Sequence, residues 1–137
     1  MQNPCRYRSL EPASLRGWLD GLLGDLAPAA DSFGVRFVDD SEMRRLNRRF
    51  RGRDYPTDVL SFPGENSSDG CHLGDVVIAV PTARRQAAAG GSPERQEIRT
   101  LLLHGVLHCL GYDHETDRGE MKRLEGRLRQ RWLTDVD

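Results

Sequence analysis

Three of the chain's four histidines, His104, His108 and His114, fall within the eleven residues His-Gly-Val-Leu-His-Cys-Leu-Gly-Tyr-Asp-His. On a helix, positions four apart lie about 40° from each other around the axis and about 6 Å along it, so His104 and His108 reach one ion from one face. Gly111 supplies the helix exit, because a residue just past the last turn takes positive φ at least cost when it has no Cβ. The turn it permits brings Tyr112, Asp113 and His114 back toward the pair. Three neutral imidazoles without a thiolate suit zinc, one ion per chain, with nickel, cobalt and copper as competitors. Structural zinc sites are normally closed by four protein ligands; three leave a place for water, whose pKa a bound zinc lowers from about 15.7 to about 7. That is hydrolytic chemistry. Cys109 points about 100° away from His108 around the helix and reads as a small buried hydrophobe instead of a fourth ligand. The bland alternative, unrelated histidines on an amphipathic helix, requires three coincidences of spacing.

The same intervals occur in the metzincin proteases as His-Glu-x-x-His-x-x-Gly-x-x-His. Where those enzymes keep a glutamate as general base, this chain has Gly105. Glycine accepts no proton, so a peptidase mechanism of that type is disfavoured. A second group able to do chemistry is the arginine run Arg44, Arg45, Arg48, Arg49, Arg51 and Arg53, six guanidinium groups in ten residues of a chain whose net charge is −1, from 20 basic and 21 acidic residues. Lys122 is the only lysine, so a solvated helix face is an equal reading for Arg44, Arg45, Arg48 and Arg49. Arg51 is different. It is expected just past the helix, before the turn at Gly52–Pro56, where a planar fork of donors can enter a cleft and hold a phosphate with two hydrogen bonds.

The elements that must position these groups follow from periodicity. Cys5–Ser9 reads as an edge strand, and Leu15, Trp18, Leu19, Leu22, Leu23 and Leu26 trace a helical stripe after Ser14 as N-cap, ended by Pro28. Val35, Phe37 and Val38 form a strand; Asp39 and Glu42 then cap a helix whose Met43, Leu46 and Phe50 face the core. Asp58–Phe62 and Gly74–Val80 are strands separated by a polar loop from Pro63 to His72, and Pro81–Ala89 is a helix stopped by Gly90 and Gly91. Ser92 and Pro93 start the helix carrying His104 and His108, and Asp117 with Glu120 caps a final helix bearing Met121, Leu124 and Leu128. The expected fold is α/β (α+β): a small, mostly mixed β-sheet packed with about five helices.

Residues 1–137 suit one domain that buries about 68% of its unfolded surface. The absence of any apolar run fit for a signal peptide or a membrane span gives a cytoplasmic expectation, with no membrane partner. Three cysteines, Cys5, Cys71 and Cys109, at no metal-like spacing fit reduced thiols. Asp113, Glu115 and Asp117 are read first as capping and solvating residues, and only second as acceptors for imidazole N–H groups. Asp58 and Asp75 suit strand-end and turn hydrogen bonds, Ser61 lacks an adjacent base, and His72 is expected to be exposed.

The stretch Leu46–Pro63, with Phe50-Arg51-Gly52-Arg53-Asp54-Tyr55-Pro56-Thr57-Asp58-Val59-Leu60-Ser61-Phe62-Pro63 at its heart, the Leu73-Gly74-Asp75 strand start, and His104–His114 together resemble the YbeY family of bacterial metal-dependent endoribonucleases. The likeness runs in order from about Val35 to the last helix. It implies that His104, His108 and His114 hold zinc and join Arg51, the family's cleft arginine, as the catalytic set. It also implies a single-strand-specific endoribonuclease of ribosomal RNA, chiefly in maturation of the small-subunit RNA 3′ end. The partners implied are RNA and the small ribosomal subunit, with no DNA. Two alternatives stay open: a zinc hydrolase of another bond, and a non-enzymatic ribosome assembly factor whose zinc only stabilises the fold.

Overall fold

The computed structural model describes residues 12–68, 70–113 and 117–133. In chain order these form α1 (Pro12–Leu26), β1 (Ser32–Val38), α2 (Asp40–Arg51), β2 (Val59–Pro63), β3 (Asn66–Ser67), β4 (Gly70–Ala79), α3 (Val80–Gly90), α4 (Glu94–Cys109) and α5 (Glu120–Leu133). The sheet has the order β1-β4-β2, with β3 folded onto the start of β4. β1 runs parallel to β4 with Val35 beside Val76 and Phe37 beside Ile78. β2 runs antiparallel to β4 with Val59 beside Ile78 and Ser61 beside Val76. The sheet is therefore mixed and five helices surround it, as the alternation of patterns predicts.

Alternation along β4 divides the core in two. Val76 and Ile78 join Leu22, Leu102, Leu103, Val106, Leu107 and Met121 in the larger cluster, which gathers α1, α4 and α5 on one face. Val77 and Ala79 face the other way and pack with Met43, Leu46 and Leu60 under α2. The Trp18 indole donates to the Trp132 carbonyl at 2.8 Å, tying α1 to α5. No described helix is long and apolar enough to cross a membrane.

Several expected boundaries move, each for a local reason. α1 starts at Pro12, so Ser14 lies inside the helix and its hydroxyl accepts from Arg99 at 3.2 Å instead of capping. The N-cap of α4 is Pro93 and not Ser92, and no side chain closes that end. The polar segment after Pro63 is a hairpin, not a plain loop: β3 pairs with Cys71 and Gly70, and β4 begins four residues earlier than expected. That places His72 inside a strand, its ring bridging Ser32 Oγ at 2.7 Å and Asp75 Oδ2 at 3.0 Å, where simple exposure was expected. Arg51 is the last residue of α2 instead of lying beyond it, with Gly52 at φ 68° closing the helix behind it. Phe50 does not face the core; it is 54% exposed. The strand expected at Cys5–Ser9 lies outside the described residues. By contrast, Asp39 caps α2 as expected, its carboxylate accepting from the Glu42 amide at 2.9 Å, and Asp117 accepts from the Gly119 and Met121 amides at 2.8 and 2.9 Å to start α5.

Gly105 carries a testable consequence of this packing. A Cβ at that position would lie 2.7 Å from Val76 Cγ2, 2.9 Å from Val76 Cγ1 and 3.2 Å from Ser61 Oγ. Helix propensity alone favours Gly→Ala by about 1 kcal/mol, whereas overpacking a core costs about 1–3 kcal/mol. We expect the packing term to win, so that Gly105→Ala lowers Tm by several degrees in a calorimetric scan. A rise in Tm would mean that Val76 and α4 part freely.

Candidate active site at the edge of the sheet

The chemistry-bearing residues meet where the two layers converge on the edge strand. α4 crosses β2 and β4 on one face of the sheet, α2 covers the other, and β2 forms the rim between them. A cleft of about 650 Å³ opens there, lined by Phe50 and Arg51 from the end of α2, by residues 57–63, by His104 and His108, and by Gly111, Tyr112 and Asp113. Two stretches far apart in the chain, 50–63 and 104–113, thus share one cleft.

His104 and His108 stand as helical spacing requires: their Nε2 atoms are 2.9 Å apart and their ring centroids 4.5 Å. The His104 Nδ1 lies 3.0 Å from Glu125 Oε1 on α5. A carboxylate only accepts, so it holds the proton on Nδ1 and leaves the His104 Nε2 lone pair facing the cleft. Two bare nitrogens at 2.9 Å repel unless a proton or a cation lies between them. A tetrahedral zinc with Zn–N bonds of about 2.0–2.1 Å sets two ligand nitrogens roughly 3.3 Å apart, so a small parting of the rings admits the ion. The donor set therefore fits a divalent metal. Among the described residues no group of three or more His, Cys, Asp or Glu side chains is gathered to hold one; His114 lies outside them, as does Glu115.

The helix exit behaves as its glycine predicts. Gly111 has φ 101°, its amide donates to the His108 carbonyl at 3.0 Å, and the Tyr112 amide donates to the Leu107 carbonyl at 3.1 Å. This is the Schellman pair of bonds. The reversal brings Asp113, the residue before His114, to the wall of the same cleft. Cys109 turns away, its Sγ 3.9 Å from the Phe62 carbonyl. Burial, with the negative charge of Asp75 adding to it, pushes this thiol up to about 11, so it stays protonated at neutral pH and is a poor ligand.

The arginine run separates into surface pairs and the cleft residue Arg51, which its place at the end of the helix also sets apart in the sequence. Arg44 grips Asp54 with two bonds of 2.8 and 3.1 Å, and Arg45 grips Glu42 at 3.0 and 2.6 Å. These are surface ion pairs of the ordinary kind. Arg49 lies against the Phe50 ring, its Cζ 5.2 Å from the centroid. Arg51 lines the cleft and pairs with no other described residue.

Two residues escaped the sequence reading. Glu125 sits 21 positions from its partner, and no local pattern links the two. Asn47 is fully buried, and its Nδ2 donates to the Tyr55 carbonyl at 2.8 Å, pinning the turn that follows Arg51. An asparagine in a helix interior, where propensity disfavours it, was the available hint.

Comparison with known proteins places these features among relatives. The family model described as Endoribonuclease YbeY matches residues 13–133. A protein named Endoribonuclease YbeY from Solibacter usitatus is 55% identical over 97 residues, 71% of this chain and 63% of that protein, so the match spans somewhat less than two thirds of that relative's length. Those of the same name from Alkalilimnicola ehrlichii and Aquifex aeolicus are 47% and 41% identical, over 83% and 87% of this chain and 71% and 80% of theirs. The solution structure of TM1509 from Thermotoga maritima aligns with a TM-score of 0.62 at 26% identity, covering 99% of this chain and 93% of that one.

Proposed function

Since the chain belongs to the YbeY endoribonuclease family, we propose that it hydrolyses RNA phosphodiester bonds in the cleft at the edge of β2. The observation that carries this is the facing His104 and His108 nitrogens beside an arginine that has no partner among the described residues. His104, His108 and His114 hold one zinc ion. Such an ion supplies Lewis acidity and a water made acidic enough to attack at neutral pH. Around it the chain's own groups divide the work. Glu125 fixes the tautomer and orientation of His104. Arg51 donates two parallel hydrogen bonds to the non-bridging phosphate oxygens and opposes the charge that grows as phosphorus becomes five-coordinate. Asn47 and Gly52 keep the end of α2 aimed at that point. The substrate is single-stranded ribosomal RNA, chiefly the 3′ end of the small-subunit RNA, handled in the cytoplasm with the small ribosomal subunit as partner.

The experiment is RNA cleavage by wild-type protein before and after chelation. Treatment with EDTA should abolish cleavage and one equivalent of zinc per chain should restore it. Cleavage indifferent to chelation would remove the metal from the reaction, and none above a His108→Ala control would favour a zinc-stabilised assembly factor. A peptidase reading is weakened by Gly105: the position that would need a carboxylate is packed against Val76. Glu125→Gln should weaken zinc affinity by about 10- to 100-fold, the usual effect of losing a partner behind a ligand, as read by competition with a chromogenic chelator. Unchanged affinity would show that Glu125 does not hold His104 for the metal.

A further inference from the structure

Phe50 stands on the rim of the cleft, at the last turn of α2, with 54% of its surface exposed. Its ring is nonetheless held in place. It meets the Phe62 ring edge to face, with centroids 5.2 Å apart and planes at 73°, and the Arg49 guanidinium lies 5.2 Å from its centroid. Tyr112, 37% exposed, lines the same cleft from the segment after α4. An apolar ring kept in water, immobilised by two neighbours and adjacent in sequence to the cleft arginine, has the properties of a stacking platform. The flat face suits a nucleobase, and the cations at Arg49 and Arg51 suit the phosphates on either side of it.

From this geometry we infer that Phe50 stacks on the unpaired base next to the scissile phosphate while Arg51 holds that phosphate, so that the cleft selects single-stranded RNA by reading an exposed base face. The inference rests on the RNA-hydrolase reading of the cleft. In a duplex each base face is covered by its neighbours, and the ring has nothing to stack on without unstacking them. Base–aromatic stacking tolerates any sequence because every base has a π-face, so selection is by strandedness and not by base identity.

The test measures binding in EDTA, apart from catalysis, by fluorescence anisotropy of a labelled 12-nucleotide single strand and of the same sequence as a duplex. Phe50→Ala and Phe50→Leu should each weaken single-strand binding by about 5- to 150-fold, Phe50→Tyr should bind within about twofold of wild type, and none should alter duplex binding. With metal restored, the loss in Phe50→Ala should fall mainly on KM. Thermal melts of all variants check the fold, which an exposed ring leaves largely untouched. Leucine binding as well as phenylalanine, or equal losses on both strands, overturns the stacking role. Uniform RNA affinity across all variants also overturns it. If wild type cleaves single-stranded RNA and Phe50→Ala matches it in binding and rate, stacking alone fails; if wild type neither binds nor cleaves, the RNA-hydrolase reading fails with it.

Discussion

His108→Ala will lower RNA cleavage by about 10³-fold or more and strip the bound metal, because a Lewis acid contributes several kcal/mol of transition-state stabilisation and each 1.4 kcal/mol is tenfold. The imidazole faces the His104 Nε2 at 2.9 Å, and one histidine of that pair cannot hold the ion in its place. Single-turnover kinetics on a labelled single strand give the rate, and mass spectrometry of the native protein gives zinc per chain. His104→Ala should behave alike. It also removes the contact between the His104 ring and Glu125 on α5, so a modest fall in Tm is expected in that variant. His114→Ala extends the test to the third histidine: the proposal requires it, too, to lose metal and rate together. Full metal content with full rate in any of the three would remove that residue from the centre.

Arg51→Ala will lower kcat/KM by about 10²–10³-fold, the usual cost of deleting one donor aimed at developing charge. Zinc content and Tm should be unchanged, since the guanidinium pairs with no other described residue. Arg51→Lys should recover only part of the rate: an ammonium keeps the charge and loses the planar fork. The contrast that makes the result specific is Arg44→Ala. That arginine is equally basic and lies seven residues earlier on the same helix, but it is held by Asp54 with bonds of 2.8 and 3.1 Å and lines no part of the cleft. It should keep its rate within about twofold, as surface substitutions generally do. Equal losses in both variants would mean that a diffuse basic field, and not a directed pair of hydrogen bonds, handles the phosphate.

How far the sequence could be read depended on the range of the interaction involved. Asp39 as the cap of α2, Gly111 as the exit of α4 and Asp117 as the start of α5 are contacts spanning two to five residues, and each is present. Boundaries slipped where tertiary contacts overrode local preference: Ser14 serves Arg99 from another helix, and the polar run after Pro63 becomes a hairpin because β4 offers it a partner. Phe50 was misplaced by helical periodicity, which reports which face a residue occupies but not where the neighbouring layer ends. At the last turn of α2 the sheet beneath has already reached its edge strand.

By itself, then, the amino-acid order settled the convergence of His104 and His108, since a helix repeats every 3.6 residues whatever surrounds it, and it settled the mixed α/β alternation through the periods of its apolar residues. The folded chain decided the rest. It put Arg51, which its position in the sequence already marked, on the cleft wall at the end of α2, set Glu125 behind His104 from 21 residues away, and filled with Val76 the space that a side chain at 105 would need. Those outcomes depend on which layers touch, and contact between distant segments is written in no local pattern of residues.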